Sequence, residues 1–130
     1  MQAPVTALYA AAAALIILLL MANVVRYRRS LRVGMGAGGD AALGVAIRAH
    51  ANAVETIPVA IVLLLLLELN GAPAALLHAL GLVLLVARVF HAQGLLVHGG
   101  GTSNGRFYGT LATWIVLVAM IVLLPLQVLT

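Results

Sequence analysis

The chain has 130 residues, 65% of them hydrophobic and only 8% charged, with a formal net charge of +4 carried entirely by arginine. A soluble domain averages roughly half apolar and about a quarter charged, so this composition excludes a water-soluble particle and marks an integral membrane protein. The absence of cysteine excludes disulfides, thiolate metal sites and a cysteine nucleophile, and the arginines form no long basic run interleaved with aromatics, which argues against nucleic acid.

A bilayer span needs about 20 mostly apolar residues, and four stretches qualify. The first runs from Val5 to Val25. No basic residue precedes it, so it does not read as a cleavable signal. The basic run "RYRRSLR" (Arg26 to Arg32) follows it. By the positive-inside rule this places the first loop in the cytoplasm and both termini outside. "GMGAGGD" (Gly34 to Asp40) then breaks the helix. The second span, Ala41 to Leu69, carries "RAHANAVETIP". "NGAP" (Asn70 to Pro73) is a tight turn, with Gly71 as a helix stop and Pro73 as a first-turn residue. So short a connection makes spans two and three antiparallel neighbours. The third span, Ala74 to Val97, carries "ARVFHAQG". Glycine-rich "HGGGTSNG" leads to the fourth, Phe107 to Leu129, with Arg106 at its inner edge. The expected fold is all-α: one domain, a four-transmembrane-helix bundle spanning residues 1–130. The glycine-rich loops lack Walker spacing and any lysine, which excludes a phosphate loop. Arginine without lysine in an alanine- and leucine-rich chain points to a GC-rich bacterium, hence its inner membrane.

The polar residues inside the spans carry the functional signal. At about 100° per residue, Arg48, Asn52 and Glu55 share one narrow stripe of span two, with Asn52 about 40° to one side of Arg48. His50 lies on the opposite side. On span three, Arg88 and His91 are three apart and therefore neighbours. Arg26 closes span one and Arg106 opens span four at the same inner level. An arginine or acid near the middle of a span costs roughly 2.5–3.5 kcal/mol, so these groups either pair or line a wet cavity. A single carboxylate, Glu55, cannot neutralise this many cations. The surplus positive charge calls for an anion from outside the chain.

These motifs resemble those of the MAPEG superfamily, membrane-associated proteins in eicosanoid and glutathione metabolism. Arg48, Asn52, Glu55 and Pro58 match its span-two signature position by position. Arg88 followed by His91 is similar to its span-three signature, an arginine with tyrosine or histidine three residues later. Four spans and this length match as well. The resemblance implies a homotrimer with glutathione between neighbouring subunits, near the cytoplasmic side. Arg48, Asn52 and Glu55 would bind glutathione, with Arg88 and His91 contributing. In members that are enzymes an arginine near the start of span four stabilises the thiolate, and Arg106 is the residue here that corresponds. Thr56 and Leu95 stand where several eicosanoid-pathway members carry tyrosine. That departure points away from the specialised eicosanoid activities and leaves general glutathione chemistry.

The chemistry is consistent with that reading. Arginines clamp carboxylates bidentately, Glu55 can accept from an ammonium or a peptide N–H, and a cation near sulfur raises the thiolate fraction. The expected activity is a glutathione transferase or peroxidase acting on lipophilic electrophiles that reach the site from the bilayer. The alternative is a non-catalytic membrane module whose Arg/Glu/Asn network serves only folding and trimer assembly. A small anion transporter is disfavoured because no inverted repeat or broken helix pair is visible. No metal is expected. Haem is disfavoured because His78 and His91 would need facing histidines and only His50 is available. His50 is expected at a helix interface, Glu68 at the outer interface, Tyr27 and Tyr108 at the inner one. Pro58 is expected to kink span two beside Glu55.

Overall fold

A computed structural model describes residues 2–129 of the protein. Four helices follow one another: α1 (Pro4–Leu31), α2 (Ala41–Leu69), α3 (Ala74–Val97) and α4 (Asn104–Leu129). Each is long and apolar enough to cross a membrane. α2 and α3 have the expected ends. The Asp40 carboxylate fixes the start of α2 by accepting from the Leu43 N–H at 2.7 Å, the usual role of an N-cap acid. Pro58 lies inside α2, which continues past it to Leu69.

Two helices are longer than expected. α1 does not stop at Val25 but runs on to Leu31, so most of the basic run is helix rather than loop. Arginine is a good helix former, and nothing in the run breaks the helix. It ends where Arg32 turns left-handed (φ 55°, ψ 37°) and the Arg32 and Val33 N–H groups both donate to the Arg28 carbonyl. α4 starts at Asn104 instead of Phe107. The Ser103 hydroxyl accepts from the Arg106 N–H at 3.2 Å, which caps the helix three residues ahead of the arginine.

The pair α2–α3 forms the middle of the bundle. α1 packs against α2 and α3, α4 packs against α3 and α2, and α1 and α4 do not meet among the described residues. One end, here the basic end, holds Arg26 to Arg32, the α3–α4 loop and Arg106. The opposite end holds the α2–α3 turn. Large side chains fill the core toward that opposite end, with Leu64, Leu67, Leu77, Leu84 and Met120 closed from outside. Toward the basic end the core mixes alanines, Ala13, Ala49, Ala53 and Ala92, with Leu20, Ile57 and Leu95, and Val24, Leu43 and Ala46 close it at the end itself.

Polar ties hold the opposite end. The Glu68 carboxylate accepts from the Val5 N–H at 2.9 Å and the Thr6 N–H at 2.6 Å. It therefore supplies acceptors for the first turn of α1, a role beyond the interfacial charge expected of it. The Tyr9 hydroxyl lies 3.1 Å from both Nδ1 and the carbonyl oxygen of His78. Gln127 Nε2 donates to the Asn70 carbonyl at 2.8 Å and ties the end of α4 to the α2–α3 turn.

The α3–α4 seam is made by glycine. A Cβ on Gly109 would stand 2.7 Å from both the Ala87 carbonyl oxygen and the His91 nitrogen. A Cβ on Gly94 would strike the Arg106 backbone nitrogen. Backbone thus lies on backbone at the level of the polar residues, and Arg106 is drawn against α3. Overpacking of this kind costs about 1–3 kcal/mol. Gly109→Ala is expected to lower thermal stability in detergent by that amount. Gly34→Ala, where an added Cβ meets nothing within 4 Å, is expected to leave the melting temperature unchanged.

Candidate functional site

α2 presents its polar residues at graded angles to the bundle. Ala49, Ala53, Ile57 and Ala60 are buried and mark its inner face. Asn52 and Thr56 lie at the edge of that face and are half-buried, while Arg48 and Glu55 lie beyond the edge and are exposed. The offset of about 40° between Arg48 and Asn52 therefore separates an outward pair from an inward pair.

The inward pair meets Arg88 of α3, which is only 4% exposed. Arg88 Nη1 donates to Asn52 Oδ1 at 2.8 Å and to Thr56 Oγ1 at 3.0 Å. The Thr56 hydroxyl donates in turn to the Asn52 backbone carbonyl at 2.7 Å. Arg88 Nε has no partner among the described residues. This buried guanidinium is thus met by neutral oxygens. The carboxylate of span two reaches a different arginine: Arg48 and Glu55 are 4.0 Å apart, with side chains 65% and 58% exposed.

A hollow of about 260 Å³ opens at the basic end, lined by Arg48 and Asn52 of α2, His91 and Leu95 of α3, Arg106 of α4 and Gly100 of the loop, above the first turns of α2. Gly100 reaches it because Gly99 and Gly100 take positive φ (58° and 86°) and turn the chain back over α2. Arg106 Nη1 donates to the carbonyl oxygens of Gly100 at 2.9 Å and Gly101 at 3.4 Å. His91 is buried in the wall. Four of the six residues singled out in the sequence therefore share one hollow. Arg88 stands behind Asn52, and Glu55 lies two turns along the outer stripe.

Arg106 also borders a second hollow, of about 420 Å³, on the other side of α4. Its remaining walls are Thr102, Ser103, Phe107, Thr110, Leu111 and Trp114. Asn23 and Arg26 do not enter the first hollow. They line a separate one with Tyr27 and Leu96, across Val45, and Arg26 Nη2 donates to Asn23 Oδ1 at 3.2 Å.

Sequence reasoning missed two contributors. Thr56 counted only as a missing tyrosine, yet a threonine four residues after Asn52 on the same face is a hydroxyl within reach of whatever meets Asn52. Ser103 looked like loop composition, but it caps α4 and donates to the Gly94 carbonyl at 3.0 Å.

The first hollow is rich in hydrogen-bond donors and in positive charge, which suits a small anion bearing carboxylates. The second is apolar along most of its length and suits a lipophile. Only the α4 segment around Arg106 borders both.

Comparison with known proteins adds identity to this geometry. The model of the MAPEG family matches residues 6–125. The "Inner membrane protein YecN" of Escherichia coli K12 is 43% identical over 117 residues, which cover 90% of this chain and 87% of that protein. The protein of the same name from Escherichia coli O6:H1 matches equally.

The Arg106 guanidinium ties the turn above the hollow through the carbonyls of Gly100 and Gly101. Arg106→Ala is expected to raise deuterium uptake in a peptide covering residues 98–103 several-fold, read by hydrogen-exchange mass spectrometry. Uptake in α3 is expected to stay unchanged.

Proposed function

The chain belongs to the MAPEG family, and on that premise we propose that it is a glutathione-binding membrane enzyme that transfers the thiol to lipophilic electrophiles or reduces lipid hydroperoxides. The observation that carries this reading is the donor-lined hollow beside Arg106, with an apolar hollow on the other flank of the same residue. Arg48, Asn52 and His91 hold the glutathione carboxylates and peptide carbonyls, Arg88 supports Asn52, and Glu55 accepts from the ammonium. Arg106 holds the sulfur as thiolate, since a neighbouring cation favours the charged form. The lipophile enters from the bilayer along Trp114 and Leu111. In the transferase reaction the thiolate attacks the electrophilic carbon, a carbon–sulfur bond forms, and the leaving group departs with the bonding pair.

The exposed Arg48–Glu55 pair supports the homotrimer that the family implies. Glu55 is near the middle of α2, where a charge facing lipid costs roughly 2.5–3.5 kcal/mol. A second copy packed on this stripe removes that cost and closes the glutathione site between subunits. The basic end faces the cytoplasm by the positive-inside rule, and a relative named as an inner membrane protein supports the same membrane here.

One observation favours the non-catalytic module. Arg88, Asn52 and Thr56 tie α2 to α3 through hydrogen bonds made within the chain. Calorimetric titration of glutathione into the detergent-purified protein separates the two readings. Wild type is expected to bind, and Arg48→Ala and Glu55→Ala to lose at least tenfold in affinity. Arg106→Ala is expected to keep binding within a few-fold while losing most turnover of a chlorodinitrobenzene. Absence of heat with wild type at millimolar glutathione would falsify the enzyme reading. Binding without turnover in wild type would favour the module.

A further inference from the structure

We propose that Arg88 and Thr56 are positioning residues that lock the Asn52 side-chain amide in one orientation, so that Asn52 offers the hollow a donor and never an acceptor. The inference rests on the reading of the hollow as a glutathione site and names what makes that site selective for carboxylates.

An asparagine amide carries an acceptor on one side and two donors on the other, and it is free to flip unless its neighbours decide. Arg88 decides here. A guanidinium has five donors and no acceptor, so the atom of Asn52 at 2.8 Å from Arg88 Nη1 is the oxygen. The same Nη1 is shared with Thr56 Oγ1 at 3.0 Å. Thr56 is itself oriented, because its hydroxyl proton goes to the Asn52 backbone carbonyl at 2.7 Å. Its oxygen lone pairs are thereby left to Arg88. Each of the three groups has one consistent assignment, and a flipped amide would set N–H against N–H.

Asn52 lines the hollow, whereas Arg88 and Thr56 do not. With its oxygen committed to Arg88, Asn52 Nδ2 has no partner among the described residues and is left for a guest. Around it stand Arg48 and Arg106, both donors only. His91 completes the polar wall and can donate as well. No carboxylate lines this hollow. A guest must therefore bring acceptors, and a carboxylate brings two.

The choice of asparagine over aspartate then has a physical reason. Arg88 is 4% exposed, has an unpartnered Nε, and meets only neutral oxygens. An aspartate at position 52 would bind Arg88 more strongly, because a hydrogen bond from guanidinium to carboxylate is stronger than one to a neutral amide oxygen. It would also spend the positive charge of Arg88 inside the chain and turn an acceptor toward the hollow. Asparagine leaves the donor facing the guest and the charge of Arg88 unneutralised behind it.

Asn52→Asp is therefore the decisive variant, because stability and binding are expected to move in opposite directions. The probes are glutathione and succinate, titrated by calorimetry into full-length protein in detergent, with the melting temperature measured on the same samples. Asn52→Asp is expected to melt no lower than wild type and to bind both probes at least tenfold more weakly. Thr56→Val is expected to weaken both probes several-fold, with Thr56→Ser restoring them, since serine keeps the hydroxyl. Unchanged affinity in Asn52→Asp, or a lower melting temperature in that variant, overturns the proposal. If wild type binds succinate but not glutathione, the glutathione reading falls and the donor lock stands. If wild type binds neither, both fall.

Discussion

A guanidinium that cannot give up its proton, held inside an apolar helix, constrains this bundle more than any other group. Arg88 lies about two-thirds of the way along α3 toward the basic end, and its hydrogen-bond partners both come from α2. Meeting it fixes the rotation of α2. Asn52 and Thr56 must turn toward α3. Because the helix advances about 100° per residue, Arg48 and Glu55 are then carried to the outer surface. The division of α2 into a buried hydrogen-bonding edge and an exposed ionic edge follows from this one contact.

The second determinant is the absence of side chains. Gly94, Gly105 and Gly109 let the backbones of α3 and α4 touch where Arg88 and His91 lie. With any larger residue α4 would stand off, and Arg106 would leave the wall it shares with His91. The close seam and the Ser103 cap together decide where α4 begins. They place Arg106 in its first turn, between a polar hollow and an apolar one. Packing and chemistry are coupled at this point: the contact that stabilises the helix pair also locates the cation.

Much of this was legible in the chain. The ends of α2 and α3 follow from Asp40, the "NGAP" turn and the glycine-rich loop, all local signals. Periodicity puts Arg48, Asn52 and Glu55 within a narrow arc, but the structure divides that arc, with Asn52 turned inward and Arg48 and Glu55 exposed. What periodicity could not give is the choice of partners. The sequence left open which arginine Glu55 meets: it pairs with Arg48, and Arg88 is met by the neutral oxygens of Asn52 and Thr56. The extension of α1 through Arg26 to Leu31 was obscured by charge. A basic run after an apolar stretch reads as the edge of the membrane, but leaving the apolar phase does not end a helix. Glu68 illustrates a further limit, since its service to α1 is a contact across more than sixty residues of sequence.

The exposed edge of α2 follows from how the other helices are placed. Helices α1 and α4 each pack on the central pair and do not meet among the described residues, and one strip of α2 bearing Arg48 and Glu55 is left exposed. In water an exposed pair at 4.0 Å would contribute little, about 0–1 kcal/mol. Across a span the same pair carries the cost of two charges near lipid, and the single carboxylate cannot serve Arg48, Arg88 and Arg106 together. Covering the strip with protein lowers the first cost, and admitting an anion meets the second. The glutathione site between copies proposed above would answer both demands at one place.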